Sequence, residues 1–398
     1  MRIPQVSIVI PVYRRRHYVE STLNSLCTQT IGHESFEVVL SVFKPDKNCF
    51  RMVTAFERLL NIRLVGTPGD FWNVSRARNV GIRTARGNLI LLLDGDMLAP
   101  PPFLERHLEE RAYGKSRVVV VGAVLGFRPY SRDKRLSARL PRPLTENEIS
   151  MMLRSRRAVR TSDPRWRVNL PDAPLPWALC WTGNVSFPRE TLEGSSGLFD
   201  EGFTGWGAED LEWAYRLWKT GVRFRFSSRP WVYHLPHPRN VTSNSKSNES
   251  NIRRFLQKWP SLEVEVLARF NDIQANLRFR TIQSALRGQQ RSVESASNRI
   301  FEVFTGQRVV AVFGITSSQT SRRSMLLQIG GASDSVKEWP LLGIATPYKD
   351  RYFHTVVLLP ALRELPRWLT RLVVEEARRV GRRVIWLDRE TPRSFPRF

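Results

Sequence analysis

The chain lacks the long apolar run that a membrane-spanning helix requires. None of its hydrophobic stretches approaches the roughly 18 to 20 consecutive apolar residues that cross a bilayer. The first strand signal begins at Val6, which leaves no room before it for a signal peptide. We therefore expect a cytoplasmic protein, with any membrane association limited to the inner face of the membrane.

Cysteine is also scarce, and the three thiols, Cys27, Cys49 and Cys180, are widely separated in the sequence. Their spacing matches neither a disulfide framework nor a cysteine metal site. This pattern predicts reduced thiols, as in a cytosolic protein. The 398 residues leave room for two or three domains with a sizeable core.

Acidic side chains are outnumbered, because 37 Asp and Glu face 62 Lys and Arg, for a net charge of +25. Residues 128–168 hold twelve of the basic residues and four acidic ones, and the densest cluster is at 154–157. An anionic acceptor or an anionic membrane surface would bind such a stretch, and a solvated arginine-rich surface is the alternative. No specific nucleic-acid partner is expected, because no recognition motif accompanies the charge.

What the chain does contain is an apolar run, Leu89–Leu93, that stops abruptly at Asp94-Gly95-Asp96. Such a run is typical of a strand buried on both faces of a parallel sheet. Two carboxylates at its carboxyl end lie where open α/β sheets bind ligands. Their burial requires a compensating cation, and Mg²⁺ or Mn²⁺ would in turn bind a diphosphate. A strand that ends in a polar turn is the plain alternative.

The preceding residues indicate alternating strands and helices. Strand signals at 6–13 and 36–42 flank a helical pattern at 18–30, and a second helical segment from Ser75 to near Gly87 leads into the 89–93 strand. This order predicts a doubly wound nucleotide-binding half. Arg76 and Arg78 in the second helix have the guanidinium shape that binds phosphate, although a solvated helix face is the alternative.

A second motif lies at 202–212, where glycines flank Trp206 and are followed by Glu209 and Asp210. Flanking glycines let the backbone and the ring approach a ligand, and tryptophan faces commonly stack on sugar rings. Both carboxylates begin a helical segment at 211–220, whose positive N-terminal end favours their ionised form. The alternative is an acidic helix start packed by a core tryptophan.

His234 and His237 form a third motif, because they lie three residues apart in a proline-containing turn. Imidazole is a common metal ligand, although a structural histidine pair is the alternative. The polar segment 240–251 that follows is nearly free of apolar residues. We expect it to be a mobile loop that serves as a lid over a bound ligand.

Three motifs together resemble the nucleotide-sugar half of a family 2 glycosyltransferase of the GT-A type. They are Pro11-Val12-Tyr13, Ala77-Arg78-Asn79-Val80-Gly81 and Asp94-Gly95-Asp96. The resemblance implies the GT-A fold, with a mixed, mostly parallel sheet, and a nucleotide diphosphate sugar as donor. The donor-binding residues that it implies, together with Gly183 and Trp206, are Pro11, Val12, Tyr13, Arg76, Arg78, Asn79, Asp94, Gly95 and Asp96.

The 202–212 segment is similar to the C-terminal part of β-1,4-galactosyltransferases and of chondroitin-polymerase-type enzymes. This similarity implies that Asp210 is the general base and that Glu209 binds the acceptor. It also implies a Mn²⁺ or Mg²⁺ ion held by Asp96 and by His234, His237 or both, with Asp94 reaching the ribose or a metal-bound water.

One departure from the family concerns the nucleotide base. Such enzymes usually carry an aspartate after the second strand that holds the uracil, whereas this chain reads Leu40-Ser41-Val42-Phe43-Lys44-Pro45-Asp46. Either Asp46 replaces that aspartate, shifted by a few residues, or the base is held otherwise. UDP remains the expected nucleotide.

Residues 260–398 lie outside the resemblance, so we expect a catalytic domain at 1–259 and a smaller α/β domain after it. Periodicity predicts helices at 262–287 and 362–380 and strands at 308–315, 354–359 and 384–387. This βαβ pattern, together with the segment Leu326–Gly331, is similar to a degenerate class I methyltransferase. An accessory or acceptor-recognition role is expected.

Two functions follow from these observations. The first is a metal-dependent, inverting transfer of a hexose or N-acetylhexosamine from a nucleotide diphosphate sugar to a glycan, a peptide or a small molecule. The second is a non-catalytic basic binding module that keeps a glycosyltransferase scaffold. Asp94, Asp96, Asp210 and His234 favour the enzyme, and the missing aspartate after the second strand favours the module.

Overall fold

The computed structural model describes residues 3–112, 117–126, 142–154, 163–193, 197–287, 297–305, 308–316 and 336–387. The chain divides into two compact units, Met1–Asn251 and Ile252–Phe398. The division falls within a helix, ahead of the domain boundary expected at 259. Among the described residues, no helix combines the length and the apolar character needed to cross a membrane.

The first unit is built on a mixed sheet of eight strands. The strands are β1 (Val6–Val12), β2 (Phe36–Phe43), β3 (Ile62–Thr67), β4 (Leu89–Leu93), β5 (Met97–Leu98), β6 (Val118–Gly126), β7 (Asn184–Pro188) and β8 (Arg223–His234). The helices are α1 (Arg16–Leu26), α2 (Lys47–Phe56), α3 (Val74–Thr84), α4 (Phe103–Ala112), α5 (Glu146–Arg154), α6 (Glu209–Lys219) and α7 (Val241–Lys258), which crosses the division.

The spatial order of the strands is β3-β2-β1-β4-β7-β6-β8-β5. Strands β3, β2, β1 and β4 are parallel to one another, and β6 is parallel to β8, whereas β7 and β5 run antiparallel to their neighbours. The expected mixed, mostly parallel sheet is therefore confirmed. The chain adds β2 on one side of β1 and β4 on the other, which creates a ligand-binding crevice at their carboxyl ends.

The expected alternation of strands and helices up to β4 is confirmed, with one addition. Helix α2 and strand β3 lie between β2 and α3, and the sequence reading omitted both. Strand β4 is buried along its whole length, as its run of leucine and isoleucine predicts. Its side chains pack with those of β1, β2 and α1 in the main core of the unit.

The expectation of a mobile loop at 240–251 is wrong, because these residues form the first part of α7. The Asn240 side chain caps the helix by accepting a hydrogen bond from the Ser243 N–H at 3.0 Å. The apolar residues Phe255 and Leu256, four to five positions beyond the polar segment, are fully buried. The hydrophobic pattern that marks this helix therefore begins only after the segment that looked like a loop.

The second unit contains a five-stranded sheet in the order β11-β9-β10-β12-β13. Its elements are α8 (Leu262–Arg287), β9 (Ser297–Thr305), β10 (Arg308–Thr316), β11 (Val336–Trp339), β12 (Phe353–Leu358), α9 (Arg367–Val380) and β13 (Gly381–Trp386). Strands β10, β12 and β13 are parallel, and β9 is antiparallel to β10 and β11. The elements expected after residue 260 are thus present, but the methyltransferase-like segment at 326–331 lies outside the described residues.

Candidate active site

Asp96 forms a buried cluster with His234 and His237. The Nε2 atom of His234 lies 3.6 Å from one Asp96 carboxylate oxygen, and Nε2 of His237 lies 3.2 Å from the other. One oxygen and two nitrogen atoms from these three residues all lie within 4.8 Å of one another. The structure therefore brings both histidines to Asp96, although the sequence motif did not rank them.

Strand pairing explains how residues so distant in sequence meet. Met97 of β5 pairs with His234 at the end of β8, and the Leu235 N–H donates to the Asp96 carbonyl at 2.9 Å. His237 Nδ1 lies 3.1 Å from the Pro238 carbonyl, which can only accept, so Nδ1 carries the proton. Nε2 lies beside the Asp96 carboxylate and accepts from Arg239 Nε at 3.4 Å, so the outer nitrogen fixes the ring orientation, as it does in many metal sites.

The protonation states of this cluster suit a divalent cation. Burial by itself would raise the pKa of Asp96, but His234 and His237 hold it well below the usual range. Burial lowers the pKa of His237 despite the neighbouring carboxylate. Metal binding needs an ionised carboxylate and neutral imidazoles, and these two shifts favour an ionised Asp96 and a neutral His237. Imidazole nitrogen is a poor ligand for Mg²⁺, so of the two expected ions the donor set fits Mn²⁺ better.

Arg15 joins this cluster, and sequence reasoning missed it. Its Nη1 atom donates to the Asp96 carboxylate at 3.1 Å. Arg14 and Arg15 both have positive φ, 57° and 49°, which is unusual for residues other than glycine. Strain of this kind clusters at functional sites. The signal in the sequence was the run of three arginines directly after Tyr13.

Arg78 is buried between two carboxylates. Its Nη1 atom lies 3.0 Å from Glu209 Oε1, and its Nη2 atom lies 3.4 Å from Asp94 Oδ1. The side chain is 5% exposed, so the alternative of a solvated helix face is excluded for it. Arg78 thus links the residue that follows β4 to the start of α6, and its guanidinium is engaged by protein carboxylates.

Arg76 and Asn79 of α3 were also expected to bind the donor. In the structure both side chains bind the segment 199–201. Arg76 Nε donates to Glu201 at 2.9 Å, and Asn79 Nδ2 donates to the Phe199 carbonyl at 2.9 Å. The side-chain oxygen Oδ1 of Asn79 accepts a hydrogen bond from the Phe199 N–H at 2.8 Å. The structure therefore shows these two residues fastening the chain that leads to Trp206.

Glu209 and Asp210 begin α6, as the sequence indicated. The helix follows Gly207 and Ala208, whose φ angles are 102° and 66°. Glu209 accepts a hydrogen bond from the Gly207 N–H at 3.1 Å, and Asp210 accepts one from the Leu211 N–H at 2.9 Å. The Glu209 carboxylate therefore turns back to the chain that precedes the helix, whereas the Asp210 carboxylate contacts the first turn.

The expectation that the helix N-terminus keeps Asp210 ionised is wrong. Burial and, next, the charge of Glu209 raise the pKa of Asp210 to about 8, although Arg78 and backbone N–H groups oppose them. A helix N-terminus is worth only about 0.3 to 1 kcal/mol to a carboxylate. Loss of hydration in the closed site therefore outweighs it. A carboxyl group with such a pKa is suited to proton transfer near neutral pH.

Three further residues that were expected to bind the donor lie at the end of β1. Pro11 and Val12 close β1, and Tyr13 follows, stacked on Trp72 with ring centroids 5.1 Å apart. Phe43 at the end of β2 makes an edge-to-face contact with Tyr13, with ring centroids 5.6 Å apart. The result is an aromatic corner at the carboxyl ends of β1 and β2, of which the sequence analysis had identified only the tyrosine.

Glycines shape the space around the carboxylates. A Cβ on Gly183 would lie 3.2 Å from an Asp94 carboxylate oxygen, and one on Gly95 would lie 3.0 Å from a Val19 methyl group.

Asp46, the residue expected as an alternative ligand for the nucleotide base, caps α2 by accepting the Asn48 and Cys49 N–H groups at 3.0 and 2.9 Å. The structure thus assigns the Asp46 carboxylate a helix-capping role.

Only part of the basic stretch 128–168 is described. Arg156 and Arg157 lie outside the described residues, whereas Arg154 ends α5. Arg165 is fully buried, pairs with Asp163 and lies 4.7 Å above the Trp181 ring. At least this arginine therefore belongs to the interior and not to a surface for an anionic partner.

Stability should respond in opposite directions to neutralising the two α6 carboxylates. Asp210→Asn should stabilise the protein by roughly 1 to 3 kcal/mol above pH 8, because a raised folded-state pKa makes ionisation unfavourable to folding. The gain should be absent below about pH 4, grow up to pH 8 and then level off. Glu209→Gln should destabilise, because it leaves the buried Arg78 with one carboxylate fewer. Thermal unfolding of both variants from pH 4 to 9 measures this, and equal shifts of one sign would contradict it.

Comparison with known proteins places this geometry in a family. The profile described as "Glycosyl transferase family 2" matches residues 7–166. A second profile, described as "N-terminal domain of galactosyltransferase", matches residues 165–238. The first covers β1 to the region before β7 and includes Asp96, and the second covers Trp206, α6, His234 and His237.

Curated relatives agree with the profiles. Validoxylamine A glucosyltransferase of Streptomyces hygroscopicus subsp. jinggangensis is 31% identical over 392 residues, which cover 89% of this chain and 90% of the relative. Chondroitin synthase of Escherichia coli is 29% identical over 64% of this chain but only 38% of its own length.

Among solved structures, Staphylococcus aureus TarS 1-349 in complex with UDP-GlcNAc has a TM-score of 0.48 and 16% identity, and the match covers 72% of this chain and 77% of TarS. The family profiles and the near full-length relative confirm the resemblance inferred from the three motifs. The chain belongs to glycosyltransferase family 2, has an α/β fold of the GT-A class and is a glycosyltransferase that uses a nucleotide sugar.

Proposed function

We propose that the protein is a metal-dependent, inverting hexosyl- or N-acetylhexosaminyltransferase with a UDP-sugar as donor. The observation that carries this proposal is the continuity of the site. Asp96 belongs to the histidine cluster, and Asp94, two residues before it, contacts the Arg78 guanidinium that also binds Glu209. The candidate metal site is thus linked through Asp94 and Arg78 to Glu209, the residue directly before the candidate base Asp210.

The metal side of the site would act on the leaving group. Asp96, His234 and His237 would hold Mn²⁺, and a bound divalent cation neutralises the charge that builds on a departing nucleotide diphosphate. Asp94, which remains partly exposed, would face the ribose or the hydration shell of the cation. Arg15 supplies a second positive charge beside Asp96.

The α6 side of the site would act on the acceptor. A hydroxyl group attacks poorly unless a base removes its proton as the new bond forms. Asp210 would accept that proton at its carboxylate, and Glu209, oriented by Arg78 and the Gly207 N–H, would bind the acceptor. Attack opposite the leaving diphosphate converts an α-linked donor into a β-linked product.

The proposed acceptor is a glycan, a peptide or a small molecule. The relative that matches over most of both chains is named for validoxylamine A, which favours a small molecule. The name of the chondroitin synthase favours a glycan, but that match spans little more than a third of the relative. An anionic acceptor would suit the net charge of +25.

The experiment that tests the function is hydrolysis of a panel of nucleotide sugars in the presence of Mn²⁺. We expect release of UDP from a UDP-hexose or a UDP-N-acetylhexosamine, and GDP-sugars serve as the comparison because the family aspartate after β2 is missing. Asp96→Ala provides the background rate. No turnover of any donor by the wild-type protein would contradict the proposal and would favour the binding-module alternative.

A further inference from the structure

Helix α7 contacts the loop that carries Trp206 through polar side chains. Ser247 Oγ accepts the Trp206 N–H at 3.0 Å and lies 2.9 Å from the Trp206 carbonyl, to which it can donate. One turn later, Asn251 Nδ2 donates to the Thr204 carbonyl at 3.0 Å and to the Gly207 carbonyl at 2.8 Å. Two side chains on one face of α7 therefore bind four backbone groups of residues 204–207.

The loop approaches α7 so closely that two of its positions require glycine. A Cβ on Gly205 would lie 2.7 Å from the Ser247 Cβ, and one on Gly207 would lie 2.2 Å from the side-chain oxygen Oδ1 of Asn248. Both glycines also have positive φ, 75° and 102°. The glycines on either side of Trp206 thus have a second use, because they admit the helix as well as a ligand.

The contact leads directly to the proposed catalytic end of α6. Asn251 binds the Gly207 carbonyl, and Glu209 binds the Gly207 N–H at 3.1 Å. Asn251 is 5% exposed, so its amide donors are withdrawn from water and depend on these carbonyls. Trp206 itself stays partly exposed at 36%, free to contact a ligand while its backbone is held.

We propose that Ser247 and Asn251 are positioning residues that hold Trp206 in the orientation that binds the donor sugar. This inference rests on the proposed function, because it gives Trp206 a sugar to contact. The sequence predicted a mobile lid at 240–251. In this proposal the same residues are instead part of a helix that restrains the loop at 204–207. Neither residue touches the reacting atoms.

The test uses Ser247→Ala, which removes the hydroxyl, and Asn251→Asp, which keeps the shape but replaces two N–H donors by an acceptor. Ser250→Ala on the exposed face of the same helix is the matched control. Hydrogen exchange of residues 203–208 is measured together with the thermal midpoint and with kcat and KM for hydrolysis of UDP-glucose.

We expect exchange at the Trp206 amide to accelerate about tenfold in Ser247→Ala, because that amide loses its acceptor. KM for UDP-glucose should rise about tenfold in both variants while kcat stays within about twofold, since the base and the metal ligands are untouched. Ser250→Ala should match the wild type in every measurement.

Two results would overturn the inference. One is unchanged exchange and unchanged KM in both variants. The other is a fall of kcat in step with the thermal midpoint at constant KM, which indicates a structural role only. If the wild-type protein hydrolysed no nucleotide sugar, the proposed function would fail, and unchanged exchange at residues 203–208 would still overturn the positioning role separately.

Discussion

Asp210→Asn is expected to lower kcat by about 10² to 10⁴-fold while the KM for the donor stays near the wild-type value. The amide has nearly the same shape and can still accept the Leu211 N–H, but it cannot take a proton from an acceptor hydroxyl. Steady-state transfer kinetics of the two proteins measure the effect. A kcat within a few-fold of the wild type would remove Asp210 from the role of base.

Asp46→Asn is the matched control, because it makes the same chemical change in a carboxylate that caps α2. Asparagine also caps helices well, so neither stability nor kcat should change much. A raised donor KM in this variant would instead restore Asp46 as a residue that binds the nucleotide base. The control therefore also tests the departure from the family after β2.

The pH dependence gives Asp210 a second signature. A base must be ionised before it acts, and the pKa of Asp210 is about 8 in the free protein. We expect kcat/KM to rise with pH up to about 8 and then level off, since this ratio reports ionisation in the free enzyme. In Asp210→Asn the residual rate should lose that rise.

The stereochemistry of the product tests the inverting mechanism separately. An α-linked product from an α-linked donor, seen by NMR, would contradict that mechanism.

The motifs of the first half of the chain could be predicted because their signals are local. The leucine-rich run at 89–93 is apolar enough to identify a buried strand, and the carboxylates after it identify the edge of the sheet that binds ligands. The contact of His234 and His237 with Asp96 could not be predicted from such local signals. Their meeting with Asp96 depends on the pairing of β5 with β8, which no local pattern reveals.

Partners far apart in the sequence explain the predictions that were incomplete or wrong. Arg78 suggested a phosphate ligand, but its carboxylate partner Glu209 lies 131 residues away. The polar segment 240–251 suggested a loop because serine and asparagine side chains usually compete with helical hydrogen bonds. In the structure the segment is helical, and its Ser247 and Asn251 side chains bind the distant loop at 204–207.

Removal of the proposed metal should have the largest effect of all. Asp96→Ala is expected to abolish transfer, because it deletes the sole carboxylate of the three-residue cluster and leaves two imidazoles that are poorer ligands for Mn²⁺. Treatment of the wild-type protein with EDTA should have the same result, and added Mn²⁺ should restore activity better than Mg²⁺. His33→Gln, a change in a histidine outside the cluster, is the control.

A readout other than activity separates metal binding from an indirect effect of the mutation. An ion that binds only the folded state stabilises it by about 2.7 kcal/mol at a hundred times its Kd. Mn²⁺ should therefore raise the thermal midpoint of the wild type and of His33→Gln but not that of Asp96→Ala. If Mn²⁺ did not raise the midpoint of the wild type, or if the protein kept full activity in EDTA after metal stripping, Asp96 and the two histidines would serve the fold and not a cation.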